Sequence, residues 1–96
     1  MDLQSLTKSL GKDEPPDGLP PVLLALWHQG RGDWHGAHEI VQEMTGTDAA
    51  WVHAHLHRAE GDPGNAAYWY RRADKPVSAA SLQDEWAEIA SDLLTR

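Results

Sequence analysis

Gly61-Asp62-Pro63-Gly64-Asn65-Ala66-Ala67-Tyr68-Trp69-Tyr70-Arg71-Arg72-Ala73 has an earlier counterpart in Gly32-Asp33-Trp34-His35-Gly36-Ala37, twenty-nine residues before it. With Gly32-Asp33 set on Gly61-Asp62, Ala25 falls on Ala54, His28 on His57 and Ala37 on Ala66, each pair identical. A glycine lets the chain turn sharply, an aspartate caps the helix that follows, and alanines let two helix backbones approach closely. The register holds on both sides of each turn, so the spacing predicts two related helix-turn-helix units, neither able to bury its apolar face alone.

Working outward, Leu3, Leu6 and Leu10 recur at helical spacing before Gly11, predicting a short amphipathic helix over residues 2–10. Lys12 to Pro21 holds four prolines, a glycine and three acidic residues, a composition that resists both helix and sheet. The first unit then covers 20–45. Pro20 and Pro21 suit a first helical turn, Val22 to Trp27 is strongly apolar, and Asp33 caps a partner helix whose face carries Trp34, Ala37, His38, Val41 and Met44. The second unit covers 47–75, with a helix from Ala49 to Glu60 capped within Thr45-Gly46-Thr47-Asp48. A further helix follows the Asp62-Pro63 cap, with Ala66, Trp69, Tyr70 and Ala73 turned inward. Residues 78–96 form a last helix behind Ser81 and Asp84, its stripe of Leu82, Trp86, Ile89 and Leu93 expected to lie across the second hairpin as a cap. The reading is all-α, a single domain of about six helices.

These residues resemble the tetratricopeptide-repeat superfamily, through Ala54, Gly61-Asp62, Ala66, Tyr70 and Ala73 in one unit and Ala25, Gly32-Asp33 and Ala37 in the other. Val41 and Met44 depart from that pattern in the first unit. The resemblance implies stacked antiparallel hairpins that present a groove, lined by the first helix of each unit, to an extended peptide. Carried onto this chain, the partner-binding face in the second unit is Asp48, Trp51, His55 and Arg58, an aromatic beside an arginine that would meet an acidic group. The matching Leu19, Val22, Leu26 and Gln29 of the first unit are mostly apolar, as expected if the N-terminal helix covers them. The leading function is thus a non-enzymatic interaction module for a peptide or protein partner.

Composition narrows the alternatives. Fifteen acidic against eight basic residues give a formal charge of −7, which opposes binding to phosphate backbones. Nucleic acid is therefore not an expected partner. The longest apolar run, Leu19 to Trp27, is too short to span a bilayer, and Asp2 stands where a leader would be basic, so no membrane partner and a cytoplasmic location are expected. Cysteine is absent, which removes disulfides, thiolate ligands and a thiol nucleophile.

Six histidines are the compositional oddity. His53 and His57 stand four apart on the fourth helix with Glu60 three further on, and one face so built offers zinc three nitrogen or oxygen ligands. This is the alternative function, a small metal- or ligand-binding protein, with or without a catalytic role, using a histidine-rich surface. His55 cannot share that face, because residues two apart on a helix diverge. His38 and Glu39 lack the second histidine of the zinc-protease motif, and His38, on the apolar face beside Trp34, reads as a core histidine bonded to a carbonyl. No nucleophile motif or phosphate-binding loop occurs, so no catalytic residue is assigned; His35 with Glu39 is the nearest approach to an acid-base pair. Arg71, Arg72 and Lys75 complement the dipole of the helix they end.

Overall fold

The computed structural model describes residues Met1–Arg96 and is all-helical. Its elements are α1 (Leu3–Ser9), α2 (Pro21–Gly30), α3 (Trp34–Gln42), α4 (Thr47–Ala59), α5 (Pro63–Arg72) and α6 (Leu82–Leu94). No helix is long and apolar enough to cross a membrane.

The two Gly-Asp turns have the same geometry. Gly32 and Gly61 adopt φ of 82° and 84°, the left-handed region where a Cβ would be strained. The amide of Asp33 donates to His28 O at 2.8 Å and that of Asp62 to His57 O at 2.9 Å. Each aspartate carboxylate then caps the next helix, Asp33 accepting from Gly36 N and Asp62 from Asn65 N. Beyond the turns Ala25, Ala37, Ala54 and Ala66 are all buried, with no side-chain bulk to hold α2 from α3 or α4 from α5.

The helix α4 is the centre of the molecule. It packs against α2, α3, α5 and α6, and every residue from Ala49 to His57 is buried. Its start differs from expectation: Gly46 occupies the N-cap and supplies no side-chain acceptor, while Asp48 lies inside the first turn. At the other end, Ser81 Oγ accepts from Asp84 N as its spacing predicts. The helix α6 lies on the second hairpin through α4, and it also reaches the first hairpin and α1. Trp86, Ile89 and Ala90 pack into the common core, and α6 lies against α4, α2 and α1.

Three of the five tryptophans, Trp27, Trp51 and Trp86, belong to the core. A buried indole N–H needs an acceptor, which Trp27 finds in Ser9 Oγ at 3.1 Å and Trp86 in Leu26 O at 2.7 Å. Trp34 and Trp69 are only half-buried and turn towards histidines.

Candidate functional site

Three helices build a histidine cluster. On α3, Trp34 and His38 lie one turn apart on the face towards α4, and Trp34 Nε1 donates to Leu56 O at 2.6 Å, fixing the angle of that face. On α4, His53 and His57 are likewise one turn apart. Their rings stack, with centroids 4.9 Å apart and planes 19° from parallel. His38 stands nearly perpendicular to both, its Nε2 3.1 Å from His53 Nε2. One ring nitrogen each of His38, His53 and His57 comes within 4.8 Å of the other two. Trp34 stacks on His38 with centroids 4.7 Å apart, and Trp69 of α5 stacks on His53 at 3.9 Å, so both ends of the cluster are walled by indole.

The electrostatics favour neutral imidazoles. Burial lowers the pKa of His38, and the neighbouring His57 lowers it further. Burial also carries His53 down to about 4, assisted by His57 and His38. His38 and His53 therefore each keep a lone pair at neutral pH, which is the state a metal requires. Glu60 reaches the other side of the cluster, its Oε1 3.4 Å from His57 Nδ1. A carboxylate behind a histidine fixes ring and tautomer and leaves the opposite nitrogen, here Nε2, for a ligand.

His38 thus has a histidine rather than a carbonyl for a partner. The set His53, His57 and Glu60 read along α4 divides between two groupings: His38 with His53 and His57, and Glu60 with His57 and Asp62. In the second, Asp62 is engaged as the α5 cap by the backbone and side-chain nitrogens of Asn65, bonds that hold its pKa below the usual carboxylate range. His35 and Glu39 are exposed on α3.

The face expected to meet a partner is occupied within the chain. Trp51 is 5% exposed and His55 1%. Asp48 pairs with Arg96, and Lys75 Nζ lies 4.2 Å from the Trp51 ring centroid. His55 Nδ1 and Arg58 Nη1 both meet Glu85 Oε1 of α6, at 2.8 and 2.9 Å, while the Tyr70 hydroxyl donates to Oε2. Burial, the largest influence on Glu85, opposes its ionisation, yet the hydrogen bonds from His55, Tyr70 and Arg58 together hold its pKa below the normal value. The same burial and the adjacent carboxylate push the Tyr70 hydroxyl well above its ordinary pKa. Nothing in the sequence marked Glu85 as the buried acid among the charged residues of α6. Only the packing of α6 on α4 identifies it.

Comparison with protein-family models, with curated proteins and with solved structures returned no match.

Proposed function

We propose that this chain binds a divalent transition-metal ion, zinc by the chemistry of its donors, through His38, His53 and His57. The convergence of three imidazoles from two helices carries the reading. Zinc–nitrogen bonds of about 2.0–2.1 Å at a tetrahedral angle place two ligating nitrogens about 3.3 Å apart. The 3.1 Å between His38 and His53 Nε2 is close to that edge, and a His57 nitrogen lies within 4.8 Å of both rings' ligand atoms. Three histidine ligands leave a fourth tetrahedral position for water or an exogenous ligand.

Thermal unfolding with added zinc tests this. At a hundred times the dissociation constant, binding to the native state alone stabilises by about 2.7 kcal/mol. For a domain of this size that is a rise in Tm of roughly 10–20 °C. The rise is expected to disappear in His38→Ala and in His53→Ala and to survive in His35→Ala. An unchanged Tm at saturating zinc in the wild type refutes the site.

Partner recognition is a second reading, favoured by where α6 lies. It rests on α2 and α4, the first helices of the two hairpins, which form the groove in the tetratricopeptide-like reading, and its Glu85 is the acidic group meeting Arg58. In this proposal a partner segment engages the groove by replacing α6. A labelled peptide of residues 78–96 should then bind the full chain when added in excess. Unchanged fluorescence anisotropy argues against it.

A further inference from the structure

Below the N-terminal turn of α6, where it meets α1 and the end of α2, lies a cavity of about 310 Å³. Its walls include Leu10, Leu82 and Trp86, with the amide side chains of Gln29 and Gln83, and His55 reaches it from α4. The volume is at the small end of the range for ligand pockets, about 300–1,000 Å³. The lining is mixed: Leu10, Leu82 and Trp86 are apolar, while Thr7, Gln29, His55 and Gln83 bring polar groups to the same space.

His55 is the unusual part of this wall. Its side chain is 2% exposed, and Nδ1 is engaged by Glu85 Oε1 at 2.8 Å. A carboxylate is acceptor-only when ionised. Glu85 accepts from Arg58 and Tyr70 as well, so Nδ1 carries the proton and donates it to Glu85. Nε2 meets no donor or acceptor of the chain, yet no sealed side-chain nitrogen or oxygen in the molecule lacks a partner. His55 Nε2 is therefore not sealed, and His55 is the α4 residue that lines the cavity. With the proton on Nδ1, Nε2 is the acceptor nitrogen of the uncharged ring.

We infer that this cavity is a binding site for a small apolar molecule bearing a single hydroxyl or N–H, which donates to His55 Nε2 while its body packs against Leu10, Leu82 and Trp86. The site is separate from the three-histidine cluster, because His55 points away from His53 and His57 on α4. Glu85 and, through it, Arg58 and Tyr70 are positioning residues: they set the tautomer and hold the ring. The cavity sits at the junction of α1, α2 and α6, so occupancy bridges all three.

The test uses the full chain with phenol, benzyl alcohol and indole as donor probes and toluene as the matched probe without a donor. Binding is followed by tryptophan fluorescence and by ¹⁵N shifts of the histidine rings. The donor probes are expected to bind and to move the His55 Nε2 resonance, with toluene about fivefold weaker, the worth of one net hydrogen bond. Gln83→Trp, from an exposed position on the cavity wall, is expected to fill the space and abolish binding while circular dichroism stays unchanged. His55→Phe tests the acceptor itself, and the Gln83 variant keeps the test decisive if that protein does not fold. No binding by any donor probe overturns the inference. So does binding that toluene matches with the His55 resonance unmoved, or binding that persists in folded Gln83→Trp.

Discussion

Glu85→Gln isolates what a single buried charge contributes to the position of α6. The substitution keeps shape and volume, and its amide oxygen can still accept from His55 and Arg58 where Oε1 does now. Both bonds lose their charge assistance, a difference of about 1 kcal/mol each between charged and neutral hydrogen bonds. The amide NH₂ then faces the Tyr70 oxygen, so the Tyr70 proton loses its acceptor, at a cost of about 1 kcal/mol or more. The lower desolvation penalty of a neutral amide offsets part of this. A net loss of roughly 2–3 kcal/mol is expected, or about 10–20 °C in Tm. Glu85→Ala leaves Arg58 and its neighbours facing a void and is expected to cost more, about 3–5 kcal/mol. Urea unfolding at neutral pH measures both. The gap between wild type and Glu85→Gln also depends on pH with a definite sign. A carboxyl held below its ordinary value contributes stability above pH 4.5 and loses that contribution as pH falls through its folded pKa. The two proteins should therefore converge in acid. Equal stability at pH 7, or a gap that widens in acid, refutes Glu85 as the charged anchor of α6.

Other consequences follow from separate parts of the molecule. In the metal-free protein His53 stays neutral down to about pH 4 when folded but takes a proton near 6.5 when unfolded. Stability is therefore full above pH 6.5 and falls by roughly 3 kcal/mol between 6.5 and 4, which urea titrations at stepped pH will read; His53→Gln should flatten that slope. Gly61→Ala places a side chain at φ 84° and is expected to cost about 1–2 kcal/mol. Gly11→Ala, where the new Cβ meets only a carbonyl at 3.7 Å, should leave urea unfolding unchanged or slightly stabilised. Asp62→Ala removes the α5 cap and should cost about 1 kcal/mol, with faster amide exchange confined to the first turn of that helix.

The local order of the chain was legible because it depends on short-range chemistry. Gly32-Asp33 and Gly61-Asp62 set the turns, Ser81 set the last cap, and the periodicity of apolar residues set the helix faces. What the sequence did not supply was which helix stands in the middle. The apolar stripe of α4 is thin, and its three histidines suggested a solvated surface; in the fold they are buried because each finds a partner, His53 in His38 and Trp69, His57 in Glu60, His55 in Glu85. For the same reason Trp51 and His55, read as a display surface, are buried instead, Trp51 beneath Lys75 and His55 against Glu85 of α6. The cluster was half visible. The spacing of His53 and His57 was plain, and Trp34, Ala37, His38 and Val41 were on one face of α3. Which side of α4 that face meets is a tertiary fact, and only then does His38 complete the set.

The most direct test of the three-histidine site is a zinc titration followed through the ¹⁵N resonances of all six histidine rings. The account predicts that one equivalent of zinc shifts one ring nitrogen each of His38, His53 and His57, while His28, His35 and His55 stay where they were. Shifts confined to His57, with the carboxyls of Glu60 and Asp62 responding, would place the ion in the other grouping and contradict the account. Uniform weak shifts across the exposed rings would contradict it as well.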